Sequence, residues 1–311
     1  MNIPIVVQFG SRSILIGRAG DAEPLDTKLI PIGAAEDEEF LWRLFYKCYH
    51  DELMVAPSST KVVIIENVLL PLNRKELLCQ VLLKRLLVSS IVFVPDVLMT
   101  CFSSGVKDGL VIDVGWEYVA VVPILDLRIL DNWSHISNKA GKFLYDNLKE
   151  ILPPGTDLDT LVPQIMACEG DKDFQYREIS ITKEVRNGFL KQTIGHFDED
   201  PLEYDDDELP ISQVVLKTLK DLPVDVKKRA FPNLMITGLA SNIPGFKMKL
   251  LKEVKVKFPR AEGITTLGPW CGGSLYTVHA LMKGATDAME LSQDKFNGID
   301  SIPDWQSLKF Q

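Results

Sequence analysis

Two short segments of this chain, IVVQFG at 5–10 and LVIDVG at 110–115, share one form: an apolar strand, a polar residue, one spacer and a glycine. A β-branched run that stops at glycine and resumes as a strand predicts a hairpin, and Ile14–Gly17 and Tyr118–Val122 are the returning strands. A repeated hairpin constrains the fold more than any other feature, because it calls for two related lobes. Paired glycine turns are what a nucleotide clamp between duplicated domains requires. Turn N–H groups approach phosphate closely, and an acid at a strand end holds a metal's water shell. Taken singly, each is also an ordinary β-turn.

The rest of the chain alternates strands with helices, the pattern of an α/β fold. Apolar residues recur at helical spacing from Phe40 to Cys48, and VAP at 55–57 ends that helix. KVVIIE at 61–66 is a strand, and Asn73 with Glu76 forms a capping box for a helix reaching Leu87. Ile91–Val94 is a strand leading into a helix through Cys101. Helices are expected at 139–151, 211–222, from Pro244 to Phe258 and over 271–285, with a strand at 234–237. Periodicity is weak over 153–200. Asp198–Glu208 holds eight acids in eleven residues, broken only by Pro201, Leu202 and Tyr204, and such a block reads as a solvated stretch.

At 311 residues the chain exceeds the usual single core, so two lobes are expected. Its net charge of −9 argues against nucleic acid or an anionic membrane as the main partner. Cys48, Cys79, Cys101, Cys168 and Cys271 are widely spaced among apolar neighbours, which fits buried thiols rather than disulfides or a metal cluster. MNIPIVVQFG has neither the basic nor the long apolar region of a signal peptide, and no apolar run is long enough to cross a bilayer. A cytoplasmic or nuclear location is expected.

Several segments, in order along the chain, resemble the actin family. They are the two hairpins (5–24 and 110–124), FYKCYHDELMVAPSSTKVVIIENVLLP at 45–71, LMITGLASNIPGF at 234–246 and PWCGGSLYTVHALM at 269–282. The resemblance implies an actin-like, ribonuclease H-like duplicated two-lobed α/β fold with reduced small subdomains. The expected division is a first lobe at 1–125, a second at 126–268 carrying the acidic stretch, and a helix and tail at 269–311 returning to the first. It also implies a vestigial nucleotide site at Gly10, Ser11, Asp113, Gly115 and Gly238.

The departures from actin concern turnover. Actin has an aspartate where this chain has Gln8, a phosphate-contacting lysine at Leu15 and a glycine at Arg12. In the second hairpin an acid is replaced by Trp116, a glycine by Glu117 and the water-positioning histidine by Ala120. The water-ordering glutamine aligns with Asp96, and Gly238 has lost its glycine partner to Leu239. Phosphoryl transfer depends on positioning and charge stabilisation, so the chain is expected not to be an enzyme. Bound, unhydrolysed ATP or ADP stays compatible with the surviving turns, and no metal site is expected.

A second departure is a deletion. Only about ten residues join the Ile30–Gly33 strand end to the Phe40 helix, where actin inserts a small lobe. The barbed-end framework persists as Phe102, Ser103 and Gly105 on one wall and Tyr276, His279 and Met282 on the other. Each is individually a core-packing position, and together they are expected to line an apolar cleft. A chain that keeps this face and lacks the opposite one would end a head-to-tail filament. IPDW at 302–305 is similar to the tail of the actin-related subunits at the pointed end of dynactin. The implied partners are centractin-type filament subunits and other dynactin subunits, in the cytoplasmic cytoskeleton. A nuclear actin-related subunit of a chromatin remodeller, a polymerising actin-like ATPase and a sugar kinase are the alternatives.

Overall fold

A computed structural model describes residues 3–167, 173–176, 179–196, 205–283 and 289–303. Cys168, acids 198–204 and Asp304–Leu308 of the tail lie outside the described residues. The chain divides into two compact units, residues 1–106 with 266–311, and 107–265.

The first lobe is built on a six-stranded sheet. Its strands β1 (Ile3–Phe9), β2 (Ser13–Arg18), β3 (Asp26–Leu29), β4 (Thr60–Glu66) and β5 (Ser90–Pro95) are joined at one edge by Leu291–Ser292. β1 pairs antiparallel with β2 and parallel with β4, and β4 runs parallel to β5. β4 and β5 are buried almost throughout, as parallel strands covered on both faces must be. Helix α1 (Glu38–Lys47) starts at Asp37, whose carboxylate accepts from Phe40 N–H at 3.0 Å, and continues as a wider π-type turn over Cys48–Leu53.

Helix α2 (Leu72–Cys79) begins before its predicted cap. Pro71, with φ −64°, holds the N-cap position, and the Asn73 side chain accepts from Arg74 N–H instead. Helix α3 (Asp96–Ser104) crosses the C-terminal helix Gly268–Lys283, and both belong to this lobe. The crossing is close because Gly272 has no side chain: a Cβ there would lie 1.7 Å from the Met99 carbonyl oxygen.

The second lobe repeats the hairpin-on-parallel-strand plan. Strands β6 (Gly109–Val114) and β7 (Val119–Leu125) form the hairpin, and β6 pairs in parallel with Asn233–Thr237. Helices Gly141–Ile151, Ile211–Asp221 and Phe246–Lys257 pack apolar faces into one core around Leu144, Leu148, Val214, Phe246 and Leu250. The hardest segment to read does contain structure. Helices Leu158–Ile165 and Lys183–Ile194 are capped by Asp157 and Thr182, and Phe174–Tyr176 pairs with Ile179–Ile181.

The lobe boundaries differ from those expected at 125/126 and 268/269. The hairpin at 109–125 belongs to the second lobe, because β6 hydrogen-bonds to Asn233–Thr237 rather than to any strand of the first sheet. The chain re-enters the first lobe at Thr266.

Candidate functional site

The two hairpins are the same device. In each, the glycine N–H donates across the turn to the carbonyl three residues on: Gly10 to Ser13 at 3.0 Å and Gly115 to Tyr118 at 3.1 Å. A Cβ on either glycine would meet that carbonyl oxygen, at 3.1 and 3.0 Å. A side chain at either position would press on the turn's own backbone, so the turns favour glycine whatever they face. The polar residue before each turn also has an equivalent partner across the ladder, Gln8 opposite Leu15 and Asp113 opposite Ala120.

In the first hairpin, the pair that actin fills with an acid and a base is an amide facing an aliphatic side chain. Directly opposed side chains share a sheet face, so this pair itself brings no charge to that face. Arg12 restores none, since it is 2% exposed and its guanidinium donates to the Ile30 carbonyl, while Ile30 N–H donates back to Arg12 O at 3.0 Å. Ser11 accepts from Arg74 at 3.1 Å, and the Arg74 guanidinium is held by Glu36 at 2.6 Å. The hydroxyl and both guanidiniums of this region are tied into the lobe. Asp96 is buried at the start of α3 and accepts from the Asn67 amide at 3.2 Å.

The second hairpin is closer to the expected site. Thr237 pairs with Asp113, so Gly238 follows directly beside that carboxylate. A Cβ at Gly238 would lie 2.5 Å from an Asp113 carboxylate oxygen and 2.4 Å from the Val114 carbonyl, at a φ of +96° that disfavours side chains. Asp113, Gly115 and Gly238 thus lie together in the second lobe. Trp116 turns onto the following helix, edge-on to Tyr145 with ring centroids 5.3 Å apart. The first N–H groups of that helix are engaged by the hairpin: Gly141 donates to Gly115 O at 3.1 Å and Lys142 to Trp116 O at 2.8 Å. Helix N-terminal donors are the usual anion ligands, and these two serve carbonyls. Hairpin by hairpin, both glycine turns are kept; the second retains the Asp113 carboxylate, and the first has the uncharged Gln8–Leu15 pair.

The barbed-face residues are only partly gathered. Phe102 and Tyr276 meet edge to face, with centroids 5.5 Å apart, and burial raises the Tyr276 phenol pKa. Ser103 is engaged within the lobe, sharing a 2.6 Å hydrogen bond with Thr266. Gly105 ends α3 in the left-handed region. His279 is exposed, and the Met282 side chain lies outside those described. Leu275 and Leu267, 48% and 69% exposed, extend the same stretch of chain and were not singled out from sequence. Their signal was apolar residues beside the Trp-Cys-Gly-Gly-Ser run.

A buried ion pair was also missed. Lys75 and Glu66 lie 2.7 Å apart at 3% and 0% exposure, with Glu66 in register with Phe9 beside the first turn. Cys48, Cys79, Cys101 and Cys271 are buried free thiols, and burial pushes Cys48 and Cys79 up to about 12. Among the described residues no helix is long and apolar enough to cross a membrane.

A hairpin duplicated on two parallel-strand platforms, one per lobe, defines an actin-fold protein. The sequence profile of the family described as Actin matches residues 27–166, which run from β3 into the second lobe. Actin-like protein ARP10 of Saccharomyces cerevisiae (strain ATCC 204508 / S288c) is 23% identical over 318 residues, covering 100% of this chain and 97% of that protein. Together with the fold, the profile match and the full-length similarity support reading the chain as actin-related.

Proposed function

We propose that the chain is a non-catalytic structural subunit that caps the pointed end of dynactin's short actin-like filament and so supports dynein-driven transport along microtubules. The observation that carries this reading is the passage from β3 to α1 through residues 30–37, which hold only a single 3₁₀ turn at Ala34–Glu36. No room is left in that connection for a small lobe that would receive a further subunit. The resemblance of IPDW and the full-length similarity to an actin-like protein support the dynactin setting. The Gln8–Leu15 pair and the internally tied Arg12 and Ser11 support the absence of turnover. Nucleotide, if bound, would be held by backbone turns and persist unhydrolysed. The filament contact runs through Phe102, Tyr276 and His279, in the cytoplasm.

The test is affinity capture of the tagged chain with His279→Glu as the comparison, alongside an ATPase assay. Centractin and dynactin subunits should co-purify with the wild type, and charge reversal at exposed His279 should release them. Removing the acidic stretch 198–208 should not. Capture of chromatin remodellers alone would overturn the assignment, and turnover at the rate of a polymerising actin would overturn the non-catalytic reading.

A further inference from the structure

The second lobe carries a cleft that the filament-end reading does not use. Its volume is about 460 Å³, and it is lined by Val224, Phe231, Pro232, Phe258 and Pro259, with Lys227, Lys228, Lys257 and Arg260 around them. The floor is an aromatic pair, Phe231 and Phe258, edge to face with centroids 4.8 Å apart and their inner faces packed on the lobe's core. Val224 at the rim is 68% exposed. No acidic residue lines the cleft.

Charge makes this cleft unlike the rest of the chain. Between 224 and 260 there are nine Lys or Arg against Asp225 and Glu253, in a protein of net charge −9. Arg229, on the same helix as Lys227 and Lys228, is spent on Asp126 at 2.8 Å and Asp108 at 3.0 Å. Lys227, Lys228 and Arg260 have no ion-pair partner among the described residues. Glu253, one of the two acids, is already paired with His196 at 3.0 Å.

We propose that this cleft docks a partner protein through an acidic segment carrying one aromatic or large aliphatic anchor. The anchor would cover the Phe231–Phe258 floor, and the flanking carboxylates would meet the cationic rim. An apolar floor needs a side chain to fill it, which a bare polyanion does not offer. The strongly acidic remainder of the chain opposes an extended anionic surface such as a membrane or nucleic acid. A short segment senses only the local field, because charges beyond about 8 Å are screened at physiological salt. The inference is independent of the filament-end reading, which rests on the other lobe.

The test is fluorescence anisotropy of the full chain with a labelled peptide of Glu and Asp residues around a single central Trp, at physiological ionic strength. Saturable binding is expected, weakened about tenfold or more by the double variant Lys228→Glu, Arg260→Glu. Both side chains are exposed, and far-UV circular dichroism should show both proteins equally folded. Replacing the peptide's Trp with Ser should weaken binding comparably. Equal binding by wild type and variant, or no loss with the Ser peptide, would overturn the proposal. So would tighter binding to phosphatidylserine vesicles or a single-stranded oligonucleotide than to the peptide. Peptide binding that appears only after the chain's own acids 198–208 are neutralised would also overturn it, by assigning the cleft an internal occupant.

Discussion

Gly272 and Gly273 stand side by side in the C-terminal helix, and the structure predicts unequal tolerance of alanine at the two. At Gly272 a Cβ would lie 1.7 Å from Met99 O and 2.6 Å from its carbonyl carbon, both backbone atoms of α3. To reach van der Waals separation the helices must part by roughly 1.5 Å or more. Packed cores resist such shifts, and overpacking costs about 1–3 kcal/mol, occasionally more. At Gly273 the Cβ would meet Ile65 Cδ1 at 2.3 Å and Cγ1 at 2.8 Å, both atoms of a side chain that has other rotamers rather than of backbone. Alanine also gains about 1 kcal/mol of helix propensity over glycine at either site. Taking the upper end of overpacking less the propensity gain, Gly272→Ala is therefore expected to destabilise the first lobe by about 2 kcal/mol net, and Gly273→Ala by about 1 kcal/mol or less. Urea unfolding followed by far-UV circular dichroism measures both. Because the Phe102–Tyr276 contact bridges these two helices, Gly272→Ala should also weaken capture of filament partners. Equal stability of the two variants would refute the claim that backbone contact sets this crossing.

Lys75→Met removes the ammonium from a buried carboxylate and should cost about 3–5 kcal/mol, whereas Lys75→Met with Glu66→Leu should recover most of the loss; a double-mutant cycle by urea unfolding checks the coupling. His135 is held below its ordinary pKa of 6.5, chiefly by burial and despite Asp221 at 3.0 Å. Its folded form thus favours the neutral ring, and the associated stability is present above pH 6.5 and is lost as pH falls through the lower folded value. His135→Gln should flatten the decline of the urea midpoint just below neutrality, and an unchanged pH profile would count against the burial argument.

The hairpin repeat was legible because it is local. Strand periodicity, a polar residue and a turn glycine lie within a few residues, and the required N–H to carbonyl bond closes inside the same turn. Most helices were legible for the same reason, since their apolar faces recur along contiguous chain. Segments 158–165 and 183–194 escaped because they lie in a weakly patterned stretch, and the first is short with Pro163 inside it, although Asp157 and Thr182 are sound caps. The shortened connection at 30–37 needed only a count of residues once the order of segments was recognised.

Tertiary structure decided which partner each element found. Sequence order put the second hairpin with the first lobe, and the parallel pairing of Leu234–Thr237 with Leu110–Asp113 moved it to the second. An arginine in a glycine turn could have faced a phosphate, yet Arg12 is buried against Ile30, eighteen residues away. Lys75 met Glu66 only because a helix returns over its own strand. The cationic cleft exists because Val224–Pro232 and Lys257–Arg260 converge across an intervening strand and helix. By itself the sequence determined the strands, turns and family resemblance, which depend on near neighbours. Only the folded chain decided where charge was spent and where it was left, because electrostatic and packing energies depend on distance in space.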